Sequence, residues 1–263
     1  GTDFVARLSA QGLTGSRGDL LIVDYRGNRA AQAAAKAPPD GYTLALLGPP
    51  MWISPLLQSV PYDPLKDFSP IILVASSANV LIVHPSLAAS SVKELIALAK
   101  ARPGELNYAS SMTGASNHLA AELFKSMAGV NIVRISYKGA AQALTDVVSG
   151  AVHLSFPSAA AAAPHIKSGR LRALAVTSAK PSALLPDLPA IAAAGVPGYE
   201  SVAMFGTFAP AGTPAAIVSR LNQDIARYIG RPDIKEKFGS TGVETVGSTP
   251  AQFAAAIASE VAS

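Results

Sequence analysis

The feature that most constrains the fold is a series of short apolar runs that alternate with helical patterns along the chain. Runs of this length, rich in branched residues, are typical of strands buried on both faces of a parallel sheet. They predict strands at residues 20–25, 42–47, 71–75, 79–84, 131–137, 152–156 and 171–178. This alternation predicts an α/β fold.

Helices are predicted where apolar residues recur at intervals of three or four. A helix over Val92–Lys100 follows a capping box of Ser91 and Glu94, and another over Ala120–Met127 stops at Gly129. Further helices are predicted from residues 1–3, near 140–149, and after Thr213-Pro214 and Thr249-Pro250, with proline first in the last two.

Composition excludes several classes of protein. With 49% hydrophobic and 14% charged residues over 263 positions, the chain can bury the cores of two lobes and is not disordered. Lys and Arg exceed Asp and Glu by 21 to 17, but the basic residues are scattered singly, which predicts no nucleic-acid partner. No cysteine is present, so neither a disulfide nor a thiolate metal site is available.

Motifs for catalysis and for cofactors are weak. Four histidines lack metal-ligand spacing, and no glycine-rich nucleotide loop occurs, so neither a metal nor a cofactor is predicted. Ser116 and His118 could form a nucleophile and base, which leaves a small-molecule hydrolase as an alternative. Residues two apart on a helix point to different faces, however, so a non-enzymatic function is favoured.

One loop has the composition of an anion-binding site. Residues 107–118 lead from a strand end through hydroxyl and glycine residues into the start of a helix. Backbone N–H groups and hydroxyls at a helix N-terminus hold anions, and a carboxylate fits this arrangement. Alternatively, Thr113 or Ser116 simply caps the helix.

Two other loops could face the same cleft. Thr2 and Asp3 lie at the start of the first helix, where Asp3 is expected to cap and orient the turn. Gly48 and Pro49 follow the strand at 42–47, at the strand end where open α/β sheets place ligands. Nearby Trp52 could stack on an aromatic acid, although a single tryptophan is more often part of the core.

The chain resembles the solute receptors of tripartite tricarboxylate transporters, also called Bug proteins. The resemblance covers nearly the whole length. The matching segments are Asp3–Arg7, Pro39–Leu44, Tyr62–Pro70, His118–Gly129, Tyr137–Gly139, Gly169–Thr177, Leu185–Pro189 and Ala209–Pro214.

The resemblance implies a periplasmic, two-lobed Venus-flytrap fold of type II, with a mixed, mainly parallel sheet in each lobe. Such a receptor is expected to bind a small organic carboxylate and deliver it to membrane permease subunits. The expected lobes are 1–84 plus 206–263 and 85–205, with a hinge near His84 and Phe205 and a monomeric state. A receptor that senses its ligand without transport remains an alternative. The expected ligand-binding residues are Thr2, Asp3, Gly48, Pro49, Ser110, Ser111, Thr113, Gly114, Ala115, Ser116, Tyr137, Phe156 and Pro157, with Trp52, His118 and Phe205 as candidates for specificity.

Three departures from the family pattern bear on the site. The usual strand and turn before Asp3 are not in this sequence, and the segment at 26–28 is about four residues shorter than usual. Pro157 stands where an acidic residue is common, which makes a ligand amine a poor fit. The resemblance also implies recognition by backbone dipoles, with no arginine clamp required.

Overall fold

The computed structural model describes residues 2–17, 22–24, 29–182 and 184–262. The chain divides into two compact units. Unit 1 comprises residues 1–76, 204–239 and 243–263, and unit 2 comprises residues 77–203 and 240–242. The lobe boundaries and the hinge predicted from the sequence stay predictions.

Unit 1 contains a four-stranded sheet with helices on its faces. Its sheet has the order β1-β8-β2-β9, and both β1–β8 and β2–β9 pair antiparallel. The strands are β1 (Ala45–Leu47), β2 (Phe68–Ala78), β8 (Val202–Pro210) and β9 (Glu244–Thr245). The helices are α1 (Thr2–Arg17), α2 (Ala30–Ala35), α3 (Pro50–Leu57), α9 (Ala215–Ile229), α10 (Pro232–Gly239) and α11 (Pro250–Ala262).

Two apolar layers hold unit 1 together. Side chains of α1, β2, α9 and α10 form one cluster, which includes Val5, Ile71 and Leu221. Ala209 of β8 belongs to this cluster, and consecutive residues on a strand point to opposite faces of the sheet. On the other face Phe208 packs against Trp52 and Phe253, with ring centroids 6.3 and 4.9 Å away. Both sheet faces are therefore covered.

Unit 2 contains a five-stranded sheet of order β5-β4-β6-β3-β7. The strands are β3 (Val80–Val83), β4 (Asn107–Ser110), β5 (Val133–Ser136), β6 (Leu154–Ser155) and β7 (Arg172–Val176). The helices are α4 (Val92–Ala101), α5 (Ser116–Ala128), α6 (Ala140–Val148), α7 (Ala159–Lys167) and α8 (Ile191–Ala194). One cluster lies under α4, α5 and α8, and a second lies under α6 and α7.

The predicted α/β class with mixed sheets is confirmed, but the expectation of mainly parallel pairing is wrong. Strand β4 runs parallel to β5 and β6, whereas β3 runs antiparallel to β6 and β7. The continuous apolar run at Val80–Val83 is explained by burial of all four residues, and burial on both faces does not fix strand direction.

Most predicted elements are confirmed, with shifted ends. The run at 71–75 lies inside β2, and the runs at 42–47, 79–84, 131–137, 152–156 and 171–178 shorten to β1, β3, β5, β6 and β7. The run at 20–25 lies largely outside the described residues, and residues 22–24 are not in a strand. Pro250 does begin α11, but Pro214 is the residue before α9 and not its first residue.

No described helix combines the length and apolar character required to cross a membrane.

Candidate functional site

The candidate site in unit 2 lies at the carboxyl edge of three parallel strands. In register, Ser110 of β4 lies opposite Ser136 of β5, and Ala109 lies opposite Ser155 of β6. Because these strands run the same way, the residues after each strand emerge at one edge of the sheet. Ser110, Tyr137, Phe156 and Pro157 were predicted from separate parts of the sequence, and the fold places them all along this edge.

The loop after β4 ends in a helix start with unused donors. Leu119 and His118 donate their backbone N–H groups to Ala115 O at 3.0 and 2.9 Å, which closes the first turn of α5. Among the described residues, the N–H groups of Ser116 and Asn117 find no acceptor. The first turn of α5 also contains no acidic side chain. These N–H groups are therefore available to an anion.

The alternative that Thr113 or Ser116 caps the helix is wrong. The N-cap position is Ala115, which makes no side-chain cap hydrogen bond. Ser116 is the first residue of α5, and Thr113 lies exposed two residues before the cap. Their hydroxyls are thus not consumed by capping.

Two side chains of α5 accept hydrogen bonds from the loop. Buried Asn117 accepts through Oδ1 from the Ser111 hydroxyl at 2.8 Å and from the Ser111 N–H at 3.4 Å. His118 accepts through Nδ1 from the Gly114 N–H at 3.2 Å. Gly114 has φ of +81°, a left-handed conformation that favours glycine. The loop is consequently fixed at both of its ends.

The hydrogen bond from the Gly114 N–H indicates the protonation state of His118. An Nδ1 that accepts a hydrogen bond belongs to a neutral imidazole with its proton on Nε2. Burial, followed by the positive charge of Arg134, lowers the pKa of His118, which maintains that neutral form. In the described structure Ser116 makes no hydrogen bond to His118, so the geometry gives no activated serine.

Arg134 is the functional candidate that the sequence reasoning missed. Its guanidinium donates to Ser110 Oγ at 2.8 Å, to Thr113 Oγ1 at 3.1 Å and to Ser111 O at 2.9 Å. These bonds hold the loop and not a ligand, so the expectation that the ligand needs no arginine clamp stays a prediction. The available signal was a single basic residue inside an apolar strand that ends beside the loop.

Tyr137 and Phe156 occupy the edge of the sheet in different ways. Tyr137 donates its N–H to Ser110 O at 2.9 Å and its hydroxyl to Asp146 Oδ2 at 2.6 Å. Burial, followed by that bond to Asp146, raises the pKa of Tyr137 to about 12. Phe156 is 1% exposed and packs against Phe124, so its side chain belongs to the core of unit 2. Pro157 is also buried, and its carbonyl accepts the N–H of Val80.

The remaining candidates belong to unit 1. Gly48 and Pro49 precede α3, and Gly48 lies beside the partly buried ring of Phe205. Gly1 and the side chains of Thr2 and Asp3 lie outside the described part of the chain; the backbone of Thr2 begins α1, as predicted. Their expected place beside the loop at 110–117 stays a prediction.

The proposed stacking role of Trp52 is corrected. Trp52 is 0% exposed, and its rings lie among Phe208 and Phe253. Its indole N–H donates to the carboxylate of Glu260, whose pKa is raised by burial. An indole enclosed in this way has no face free for a ligand, so the core alternative is correct.

The fold and the loop define a class of solute-binding protein. The structure of Rpa4515 from R. palustris, solved with adipate, is 41% identical with a TM-score of 0.87, covering 99% of this chain and 89% of that one. MatC from Rhodopseudomonas palustris, solved with malate, is 25% identical with a TM-score of 0.82, covering 100% of this chain and 92% of that one.

The family follows from the sequence itself. The model of the tripartite tricarboxylate transporter family receptor (TctC) matches residues 5–263. The protein BugT of Bordetella pertussis is 36% identical, covering 99% of this chain and 82% of BugT. The chain therefore belongs to the tripartite tricarboxylate transporter receptor family, as the resemblance implied.

Protonation of His118 is expected to destabilise unit 2. His118 ordinarily has a pKa near 6.5, and its pKa is lowered in the folded state, so the unfolded chain binds the proton first. The free energy of unfolding should be highest above pH 6.5 and should fall as the pH drops toward the pKa of His118 in the folded state. His118→Asn retains an acceptor oxygen but does not titrate.

Urea unfolding at pH 7.5 and 5.5 measures this effect. The wild-type chain should lose more unfolding free energy than His118→Asn between the two pH values. Equal losses in the two proteins would show that His118 is not held neutral by the loop.

Proposed function

We propose that this chain is an extracytoplasmic receptor that binds a small aliphatic dicarboxylate on the loop at 110–117. The single observation that carries the proposal is the grouping at the start of α5. There the free N–H groups of Ser116 and Asn117, the hydroxyl of Thr113 and the charge of Arg134 occur together. Each favours a negatively charged oxygen over a neutral one.

The ligands of two related structures support this chemical class. Rpa4515 was solved with adipate and MatC with malate, and both ligands are aliphatic dicarboxylates. Enclosure of Trp52 removes the observation that favoured an aromatic acid in this chain. We therefore place adipate and malate ahead of aromatic carboxylates as ligands.

Membership of the receptor family supports delivery of the ligand to a transporter. We propose that the chain acts in the periplasm, the compartment of the related binding protein BugD, and passes its ligand to membrane permease subunits. The lobe closure predicted from the sequence, about a hinge near His84 and Phe205, would exclude water and strengthen the bonds to the anion.

Thermal unfolding with a small ligand panel tests this proposal. At a concentration 100 times the Kd, a ligand bound only by the folded state stabilises by about 2.7 kcal/mol, which raises the Tm by roughly 5 °C. Adipate or malate should produce such a shift. Adipamide, which has the shape of adipate without its charges, serves as the control.

The panel separates the outcomes. A shift with dicarboxylates and none with adipamide supports an anion receptor. Equal shifts with adipate and adipamide, or no shift with any acid, would contradict the proposal.

A further inference from the structure

Arg134 of β5 donates hydrogen bonds both to the loop after β4 and to its own strand. Besides its bonds to Ser110, Ser111 and Thr113, its Nη2 donates to Ser136 Oγ at 3.4 Å. Four of the five guanidinium N–H groups are therefore engaged. All four acceptors are neutral oxygens at the carboxyl edge of β4 and β5.

The positive charge of Arg134 is not cancelled within the part of the chain that the structure describes. The nearby carboxylate of Glu122 is bound by Lys125 Nζ at 2.8 Å and by the Tyr108 hydroxyl at 2.5 Å. Burial alone would raise the pKa of Glu122, but these two hydrogen bonds together with the charges of Lys125 and His118 lower it, so the carboxylate charge is held by these partners. Arg134 is partly buried, where its charge is less screened than on an open surface.

The bond to Thr113 also sets the direction of a hydroxyl. When Thr113 Oγ1 accepts from Arg134, the O–H hydrogen of Thr113 points away from the guanidinium. Thr113 is exposed, so that hydrogen is presented at the surface of the loop. A charged donor also polarises the hydroxyl and makes it a better donor in turn.

We propose that Arg134 is a positioning residue: it clamps the loop at 110–113, turns the Thr113 hydroxyl toward the ligand and supplies the positive charge that selects a carboxylate. This inference rests on the proposed function of the loop. According to this inference, the preference of the site for an anion over a neutral ligand depends on a residue of β5 that lies outside the loop. Arg134 acts through Ser110 and Thr113, so its loss affects affinity more than a merely structural arginine would.

Calorimetric titration of adipate tests the role of the charge and of the clamp. We expect Arg134→Gln to weaken adipate binding at least about 30-fold, because a charge-assisted set of bonds is lost. Arg134→Lys keeps the charge without the planar fork and should weaken binding about 10-fold, a partial rescue.

Arg172 provides a matched control in the same unit. It lies on β7, at the opposite edge of the sheet, and its Nη1 donates to Leu87 O at 3.3 Å and to Ala89 O at 3.0 Å. Arg172→Gln therefore also removes an arginine that holds backbone carbonyls, but at a distance from the loop. Its affinity for adipate should stay within about twofold of wild type.

A second variant separates positioning from general disruption. Thr113→Val removes only the exposed hydroxyl and should weaken adipate binding about fivefold. If Arg134 acts through this hydroxyl, adding Thr113→Val to Arg134→Lys should cost less than it does in the wild type. Thr113→Val changes an exposed loop residue, so it tests the part of the inference that concerns the hydroxyl even if the Arg134 variants fold poorly.

The outcomes distinguish this inference from the proposed function. If wild type binds adipate and malate no better than adipamide, the proposed function fails and the inference with it. If wild type binds adipate but Arg134→Gln or Thr113→Val binds it equally well, the inference alone is wrong. Full additivity of Thr113→Val and Arg134→Lys would also overturn the positioning role.

Discussion

Replacing Ser116 with tryptophan is expected to weaken dicarboxylate binding at least about 100-fold while leaving the fold intact. Ser116 is the first residue of α5, and its N–H is one of the donors without an acceptor in the described structure. An indole at this position would fill the space in front of the helix start. Loss of two charge-assisted hydrogen bonds accounts for an effect of this size.

The control for Ser116→Trp is the same substitution at another helix start. Ala215 is the exposed first residue of α9 in unit 1, and the residue before it likewise makes no side-chain cap bond. Ala215→Trp should leave adipate affinity unchanged, and both variants should unfold within a few degrees of wild type. Wild-type affinity in Ser116→Trp would place the ligand away from the loop.

The largest expected effect on stability comes from Gly206→Ala. A Cβ atom added at Gly206 would lie 1.9 Å from Cζ and 2.3 Å from Cε1 of Phe253. The Phe253 ring is 0% exposed and packs against Phe208 and Trp52, so it has no free space to enter. Such overpacking costs about 3 kcal/mol of unfolding free energy.

Urea unfolding measures this cost, and two further variants identify its origin. Phe253→Leu removes the clashing ring atoms, so Gly206→Ala should cost less in that background. Gly239→Ala is the matched control, since an added Cβ at Gly239 meets nothing within 4 Å. Equal stability of Gly206→Ala and Gly239→Ala would contradict the close approach of Gly206 in β8 to Phe253 in α11.

The sequence predicts the elements well where periodicity and end signals coincide. Half of the predicted capping box is observed, since Glu94 N donates to Ser91 Oγ at 3.2 Å, whereas the Glu94 carboxylate accepts from the N–H of Ser90 at 2.7 Å and not from that of Ser91. Gly129 ends α5 in the left-handed conformation, as predicted. Strand direction could not be predicted in the same way. An apolar run such as Val80–Val83 records burial on both faces and carries no information about whether its neighbours run parallel.

The candidate site could be predicted in part, for a similar reason. Glycine and hydroxyl residues ahead of a helix indicate the loop at 110–116, because their chemistry is local. Arg134 reaches the loop only through the register that pairs Ser110 with Ser136, which is a long-range property. Trp52 shows the opposite error, since its place near a predicted strand end did not reveal its enclosure by Phe208 and Phe253.

The most direct test of the central claim is to map adipate onto the isotope-labelled chain by the change in backbone amide chemical shifts. An anion held at the start of α5 should move the amide signals of Thr113, Ser116 and Asn117 most, with saturation at the calorimetric Kd. We predict that these shifts are absent in Ser116→Trp. Saturable shifts confined to other parts of the chain, or no shifts at all, would contradict the assignment of the loop as the carboxylate site.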